Sequence, residues 1–366
     1  MAMTATLDAV LAKLNPAQRE AALHGRGPLL IVAGAGTGKT TTLAHRVASL
    51  IAAGVAPGCI LLLTFTRRSA AEMLRRVDGI LAELRGGRAS AAPPRSTDEH
   101  FEGPPEIHVQ RSTAVVDGFS DVEATAAIEA VPHEPALHVP AANAEPGDVS
   151  PDHSSARARV GRVWGGTFHS VGTRLLRMYG HQIGLPPDFT ILDRGDAEDL
   201  MQVLRQELKL GQEEREDDER SGRQRRSNRF PLKGTCVSIY SRTVNTQQPL
   251  RTILQTAFPW CLEHEEQLKQ LFSLYVDRKE EHAVLDYDDL LLFWQALMQH
   301  EPAAAAVRRR FDCVLVDEYQ DTNVIQANIL RGLAPDGEGL TVVADDAESF
   351  YSFRAATVRN ILDFPQ

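Results

Sequence analysis

Short apolar runs alternate along this chain with segments whose apolar positions repeat at helical spacing. The apolar runs, most of them rich in Val, Ile and Leu, occupy residues 28–34, 59–65, 162–168, 312–318 and 340–346. The helical patterns occupy residues 41–53, 67–84, 170–179 and 323–333. Near-continuous apolar strands are typical of a parallel sheet whose two faces are covered by helices. The alternation therefore predicts an α/β fold, with a parallel sheet flanked by helices.

Two segments interrupt this alternation and set the expected domain organisation. Residues 86–160 are rich in Ala, Pro, Ser and acidic residues without a sustained period, so we expect a low-complexity, disordered insertion. Residues 184–285 carry helical patterns without strand patterns, which predicts an inserted helical subdomain. Its mixed-charge run, residues 213–229, is typical of solvated surface, although the basic half can also contact phosphates. The α/β domain would then comprise residues 1–85, 161–183 and 286–366.

The overall charge does not exclude a nucleic-acid partner. The net charge is −10, but residues 86–160 hold twelve acidic residues against five Arg and no Lys, which leaves the remainder near −3. No apolar run is long enough to span a bilayer and the start lacks a signal-peptide pattern, so we expect a cytoplasmic protein without a membrane partner. The four Cys residues are scattered, which argues against a metal site built from them.

The strongest chemical signal is VAGAGTGKTT, residues 32–41, which follows a predicted strand and opens a predicted helix. The phosphate-binding loop pattern has Gly where this chain has Ala33, but three nearby glycines can supply the required backbone freedom. Such a turn directs amides at phosphate oxygens, with Lys39 on the β- and γ-phosphates and Thr40 on Mg²⁺. The predicted ATP-binding residues of this loop are Ala33, Gly34, Ala35, Gly36, Thr37, Gly38, Lys39, Thr40 and Thr41.

A second strand ends in VLVDEYQDTN, residues 314–323. Asp317 at its tip can hold Mg²⁺, and Glu318 beside it can orient or deprotonate an attacking water. An acidic pair after an apolar run is a weak signal alone. After a phosphate-binding loop in a parallel sheet, it predicts hydrolysis of a nucleoside triphosphate.

The stretch LNPAQREAALHG, residues 14–25, predicts a short helix ahead of the first strand. Asn15 suits the N-cap, Pro16 the first helical position and Gly25 a C-terminal cap. Gln18 has two possible roles: it can close a capping box onto Asn15, or its amide can read an adenine edge. The residues alone do not separate these roles.

Seven motifs in order resemble those of the UvrD/Rep-like superfamily 1 DNA helicases: LNPAQREA, AGAGTGKT, LLLTFTRRSAAEM, GGTFHS, LDYDDLL, VLVDEYQDTN and ADDAESFYSFRAA. The match skips residues 86–160. It implies the ATP-binding, RecA-like half of a motor that moves 3′ to 5′ on single-stranded DNA and unwinds 3′-tailed duplexes, hydrolysing ATP with Mg²⁺. A P-loop kinase or small GTPase would leave TFHS, LDYDDLL and the aromatic stretch unexplained.

The resemblance implies roles by position. Gln18 would contact adenine, while Lys39 and Thr40 would bind phosphates and metal. Asp317 would bind Mg²⁺ and Glu318 would be the catalytic base. The residues expected near the DNA strand are Thr64, Phe65, Thr66, Thr167 and His169.

The last motif, residues 344–356, connects the γ-phosphate to the DNA in such helicases. Tyr351 and Phe353 would offer ring faces to DNA bases, a contact worth about 1–3 kcal/mol per base. Arg354 would tie this platform to the nucleotide. Glu348 is placed in the catalytic set but departs from the family, which typically has Gln there. A carboxylate accepts hydrogen bonds and repels phosphate, so we expect weak coupling between hydrolysis and DNA.

The chain ends at Gln366, before any counterpart of the family's second RecA-like domain, whose arginines contact the γ-phosphate across the cleft. We therefore expect the isolated chain to hydrolyse ATP slowly and not to unwind DNA, with the second half belonging to a longer protein or a partner. The competing hypothesis is a degenerate module that binds ATP or single-stranded DNA without unwinding.

The substitution Glu348→Gln tests the expected weak coupling. It replaces a group that repels phosphate by one that can donate to it, so single-stranded DNA should stimulate ATP hydrolysis more strongly than in the wild type. An unchanged stimulation ratio, measured by phosphate release with and without DNA, would contradict the prediction.

Overall fold

The computed structural model describes residues 2–34, 36–84, 162–211 and 229–345. The predicted acidic insertion, nearly all of the mixed-charge run and the motif after Asp345 therefore lie outside the described residues, as does Ala35. Among the residues described, no helix is long and apolar enough to cross a membrane.

In the described residues, α-helices and seven strands alternate irregularly along the chain. The strands are β1 (Leu29–Val32), β2 (Ile60–Thr64), β3 (Trp164–Thr167), β4 (Thr190–Ile191), β5 (Val284–Leu285), β6 (Cys313–Val316) and β7 (Leu340–Ala344). The α-helices are α1 (Ala2–Leu11), α2 (Pro16–Leu23), α3 (Lys39–Ala52), α4 (Arg67–Leu84), α5 (Phe168–Tyr179), α6 (Arg194–Glu207), α7 (Lys233–Thr246), α8 (Leu250–Ala257), α9 (Glu265–Glu281), α10 (Tyr287–Gln299), α11 (Glu301–Arg308) and α12 (Val324–Leu333).

Five strands form one parallel sheet in the order β1-β7-β6-β2-β3. Every neighbouring pair is parallel, and each strand lies within one of the five apolar runs. The predicted helical segments correspond to α3, α4, α5 and α12. The predicted α/β fold is therefore confirmed. In a parallel sheet all carboxyl ends meet at one edge, so the loops after β1, β6 and β7 converge there.

The sheet separates two hydrophobic cores. Successive strand residues point to opposite faces. In β2, Leu61 and Leu63 therefore join the core shared with α5 and the inserted helices, whereas Ile60 and Leu62 join the core under α3 and α4. All four side chains are fully buried. Burial on both faces explains why this strand reads as a continuous apolar run.

The segment 184–285 is mainly helical, and it has near its two ends two short strands that no sequence pattern indicated. Residues Thr190–Ile191 pair with Val284–Leu285 in a small parallel sheet. Two-residue strands are too short to produce a sequence period, so the pattern could not reveal them. The pairing brings the two ends of the segment side by side. The division of the chain into domains stays a prediction.

The helix α2 begins as predicted and ends differently. Asn15 is the N-cap, Pro16 is the first residue, and Gln18 closes a capping box with Asn15. Gly25 is not the C-terminal cap, because the helix ends at Leu23 and His24 is its C-cap. The buried Arg46 guanidinium donates to the carbonyls of Ala21, His24 and Gly25 at 3.2, 2.8 and 3.0 Å. These bonds satisfy carbonyls at the helix end, so a left-handed glycine is not needed.

A buried ionic cluster lies where the inserted segment returns to the α/β domain. Lys279 on α9 donates to Asp286 at 2.8 Å and to Asp289 at 2.6 Å, and its ammonium lies 4.4 Å from the centre of the Tyr275 ring. Burial and the Asp286 charge raise the pKa of Asp289 to about 7. Burial raises the pKa of Asp286, but the Lys279 charge and hydrogen bonds from Lys279, the Asp289 N–H and Tyr275 together lower it below its ordinary value. The positive charge of Lys279 therefore stabilises two carboxyl groups, Asp286 and Asp289, in the motif LDYDDLL.

The substitution Lys279→Met should destabilise the fold by about 3–5 kcal/mol, because it leaves buried carboxylates without their cation. The measurement is the free energy of unfolding in urea at neutral pH. Lys233→Met in the same segment is the matched control, since it removes an exposed ion pair with Asp199, and its stability should match the wild type. Equal losses in both variants would contradict the assigned role of Lys279.

Candidate nucleotide and DNA sites

The loop between β1 and α3 has the backbone of a phosphate-binding turn. Gly36 and Gly38 have φ angles of 78° and 86°, in the left-handed region that favours glycine. A Cβ atom at Gly38 would also lie 2.8 Å from Nε2 of Gln18. The Thr37 hydroxyl donates to the Gly34 carbonyl at 2.7 Å and tightens the turn. The loop thus delivers backbone amides to the N-terminus of α3, where an anion is favoured.

Lys39, the first residue of α3, points back across the loop. Its Nζ atom donates to the Ala33 carbonyl at 3.0 Å and to Oδ2 of Asp345 at 2.5 Å. Asp345 follows β7 and is only 1% exposed. The pair places a cation at the tips of β1 and β7, on the side of the sheet where the phosphate-binding loop lies.

Asp317 follows β6 and lies next to the same loop. Its side chain is buried, and its backbone N–H donates to the Leu63 carbonyl at 2.9 Å. Burial, followed by the neighbouring Glu318 charge, raises the pKa of Asp317 to about 6, while Lys39 and a hydrogen bond from Thr40 act in the opposite direction. The structure therefore brings Asp317, Lys39 and Thr40 together at one edge of the sheet.

Glu318 adopts a strained backbone conformation, with φ at 55° although it is not glycine. Such strain is common at functional sites. Its carboxylate accepts a hydrogen bond from Nε2 of Gln320 at 2.6 Å, and Oε1 of Gln320 accepts one from the Asp345 N–H at 3.0 Å. Gln320 therefore links the tips of β6 and β7. Sequence reasoning missed Gln320, although it lies within the motif that contains Asp317.

Gln18 contacts the phosphate-binding loop from outside. Its oxygen accepts from the Asn15 N–H at 3.0 Å, while its Nε2 donates to the Thr37 carbonyl at 2.8 Å. The capping role is thus confirmed. The adenine contact stays a prediction, and it would require Gln18 to exchange one of these bonds.

These residues fit a nucleoside triphosphate with Mg²⁺. The Thr40 hydroxyl and the Asp317 carboxylate are adjacent oxygen donors, the type that Mg²⁺ prefers. Within the described ranges no group of three or more His, Cys, Asp or Glu side chains could hold a metal without other ligands. Phosphate oxygens and water would complete such a shell, as is usual for Mg²⁺.

A groove of about 550 Å³ lies between the carboxyl edge of the sheet and the inserted helices. Phe65 and His169 line it from the α/β domain, and Asn245 and Tyr287 line it from α7 and α10. The His169 ring centre lies 5.6 Å from that of Tyr287, and burial lowers the pKa of His169. Three predicted DNA residues, Thr64, Phe65 and His169, therefore line one partly open groove.

The three threonines among the predicted DNA residues make local hydrogen bonds, and other predicted site residues fall outside the description. Thr64 is fully buried and its hydroxyl donates to the Thr66 carbonyl at 3.1 Å. The Thr66 and Thr167 hydroxyls accept from the backbone N–H groups of Ser69 and Ser170. Their DNA contacts stay predictions. The predicted site residues that lie outside the described ranges are Ala35, Glu348, Tyr351, Phe353 and Arg354.

The family model of the UvrD/REP helicase N-terminal domain matches residues 14–366. The chain belongs to the UvrD/REP helicase family. It is 32% identical, over 98% of its length, to the ATP-dependent DNA helicase UvrD1 of Mycobacterium bovis. It is 28% identical, over 96% of its length, to both DNA helicase II of Haemophilus influenzae and the ATP-dependent DNA helicase PcrA of Leuconostoc citreum.

The chain spans 36%, 36% and 35% of the lengths of these three relatives. The resemblance to UvrD/Rep-like helicases and the RecA-like α/β fold are confirmed by the family match and by the five-stranded sheet. The roles of the individual site residues stay predictions.

The ion pair between Lys39 and Asp345 should contribute measurably to stability. Lys39→Ala leaves a buried carboxylate without its cation, so it should destabilise the fold, and adding Asp345→Asn should relieve part of that loss. Urea unfolding of the two single variants and the double variant should give a coupling energy of about 1–3 kcal/mol. Additive effects would show that the two side chains do not interact in solution.

Proposed function

We propose that this chain is the ATP-binding half of an ATP-dependent DNA helicase that moves 3′ to 5′ on single-stranded DNA. The main observation that supports this proposal is that Lys39, Thr40 and Asp317 converge at one edge of the sheet. The family match and the helicase names of the relatives support the reaction class.

In this proposal, the amides of the loop and Lys39 bind the phosphates, while Thr40 and Asp317 hold Mg²⁺. The metal would neutralise the charge that develops on the phosphate oxygens. Glu318 would accept the proton of the attacking water. Its strained backbone and its bond to Gln320 fix the direction of the carboxylate. Gln18 would contribute to the adenine contact.

The groove beside Phe65 and His169 is proposed as part of the path of single-stranded DNA. A half-buried aromatic ring offers a stacking surface that does not depend on base identity. Phe65 packs on Phe168 with ring centres 5.9 Å apart, which holds its orientation. Thr64, Thr66 and Thr167 would support the backbone around it, and Tyr351, Phe353 and Arg354 would extend the surface. A second RecA-like half would complete the motor.

The test is steady-state ATP hydrolysis with and without single-stranded DNA. We expect slow, Mg²⁺-dependent hydrolysis that DNA accelerates, and no hydrolysis by Lys39→Ala. Lys13→Ala, which removes an exposed ion pair with Glu83, is the matched control. ATP binding without turnover, together with DNA binding, would instead support the degenerate binding module. Neither ATP nor DNA binding would contradict both hypotheses.

The hydrolysis rate should fall as the pH drops through about 6, because Asp317 has its pKa near that value. The Asp317 carboxyl group is ionised when the pH lies above its pKa and neutral when the pH lies below it. The neutral carboxyl group binds Mg²⁺ poorly. The measurement is the Mg²⁺ concentration needed for half-maximal hydrolysis between pH 5.5 and 8. A requirement that does not change with pH would contradict the role of Asp317 as metal ligand.

A further inference from the structure

One amide side chain connects the inserted helices to the α/β domain. Nδ2 of Asn245, on α7, donates to Oδ1 of Asp288 at 2.6 Å. Oδ1 of Asn245 accepts from Nδ2 of Asn323, also at 2.6 Å. Asp288 lies at the start of α10, and Asn323 is the N-cap of α12. Asn245 therefore joins the beginnings of two helices, using both its donor and its acceptor.

The partner Asn323 closes the segment that begins with the catalytic carboxylates. Residues 317–323 connect β6 to α12 through the short 3-10 helix Tyr319–Asp321. The Thr322 hydroxyl donates to the Tyr319 carbonyl at 2.6 Å, which stiffens the turn. The N-terminal end is fixed by the Asp317 bond to β2. The C-terminal end is fixed by the capping box of α12 and by Asn245.

The same connection lies on the surface of the groove. Asn245, Asp288 and Asn323 all line it, together with Phe65 and His169. Burial and the Asp286 charge raise the pKa of Asp288 to about 6, so this carboxylate is ionised at neutral pH and accepts a strong hydrogen bond. The Asn245 amide donates to the Asp288 carboxylate and to Ser241 on its own helix, and its oxygen accepts from Asn323 at the end of the segment 317–323.

We propose that Asn245 is a positioning residue for the segment 317–323, and through it for Asp317 and Glu318. A seven-residue segment that is held at both ends transmits a displacement at one end to the other. The inserted helices would thus set the geometry of the hydrolytic site from the groove. The kinetic consequence rests on the proposed function, whereas the positioning itself is measurable without catalysis.

The test compares Asn245→Ala with Thr246→Ala, a matched control on the same helix whose exposed hydroxyl bonds only within α7. Amide hydrogen exchange should accelerate about 10-fold or more in residues 317–326 of Asn245→Ala, and not in the control. The kcat for ATP hydrolysis should fall about 5- to 50-fold with little change in KM, because the site is misplaced rather than removed.

A second pair of variants separates positioning from general stability. Asp288→Asn keeps an oxygen that accepts from Asn245, so exchange in residues 317–326 and kcat should remain near wild type. Asp288→Leu removes this acceptor but leaves the bonds of Asn245 to Ser241 and Asn323, so it should accelerate exchange in residues 317–326 and lower kcat in the same direction as Asn245→Ala, but less. This comparison remains available if Asn245→Ala fails to fold.

The outcomes distinguish the two hypotheses. Unchanged exchange in residues 317–326 of Asn245→Ala, or an equal change throughout the chain, would overturn the positioning role. Faster local exchange with unchanged kcat would also overturn it, because the segment would not govern the catalytic carboxylates. If the wild type hydrolyses no ATP, the proposed function fails, and the exchange data alone decide whether Asn245 positions the segment.

Discussion

The contact between Lys39 and Asp345 is the interaction on which the site depends. A lysine and a carboxylate that are both largely removed from water stabilise each other only as a pair. The pair joins the loop after β1 to the tip of β7, and Asp317 at the tip of β6 lies close enough to Lys39 and Thr40 for both to oppose the rise of its pKa. The parallel sheet imposes this convergence, because all its strands end at one edge.

The strand tips are also linked to one another. Gln320 bonds to Glu318 and to the backbone of Asp345, so hydrogen bonds join the loops after β6 and β7. A left-handed Glu318 is tolerated because these surrounding bonds hold it. Charge, strain and hydrogen bonding are therefore concentrated in the few residues that would handle the metal and the attacking water.

The inserted helices form the other side of the groove at this edge of the sheet. They bury Lys279 with Asp286 and Asp289 where the chain returns to the α/β domain, and they enclose the groove next to Phe65. The segment 317–323 then reaches from the proposed nucleotide site to that groove. A protein of the UvrD/REP helicase family thus has a short, hydrogen-bonded route between the two surfaces that its reaction would need to connect.

The sequence by itself determined that Val-, Ile- and Leu-rich runs form a parallel sheet, that a glycine-rich loop follows β1, that Asp317 and Glu318 follow β6, and that Asn15 is an N-cap. Each depends on residues close in the chain or on a period within one element. Only the tertiary structure decided which distant residues pair with Lys39, Arg46 and Asn245. Their respective partners are Asp345, Thr341 and Asn323, which lie 306, 295 and 78 residues away along the chain. Local patterns carry no information about such pairs, because strand order and helix packing bring them together.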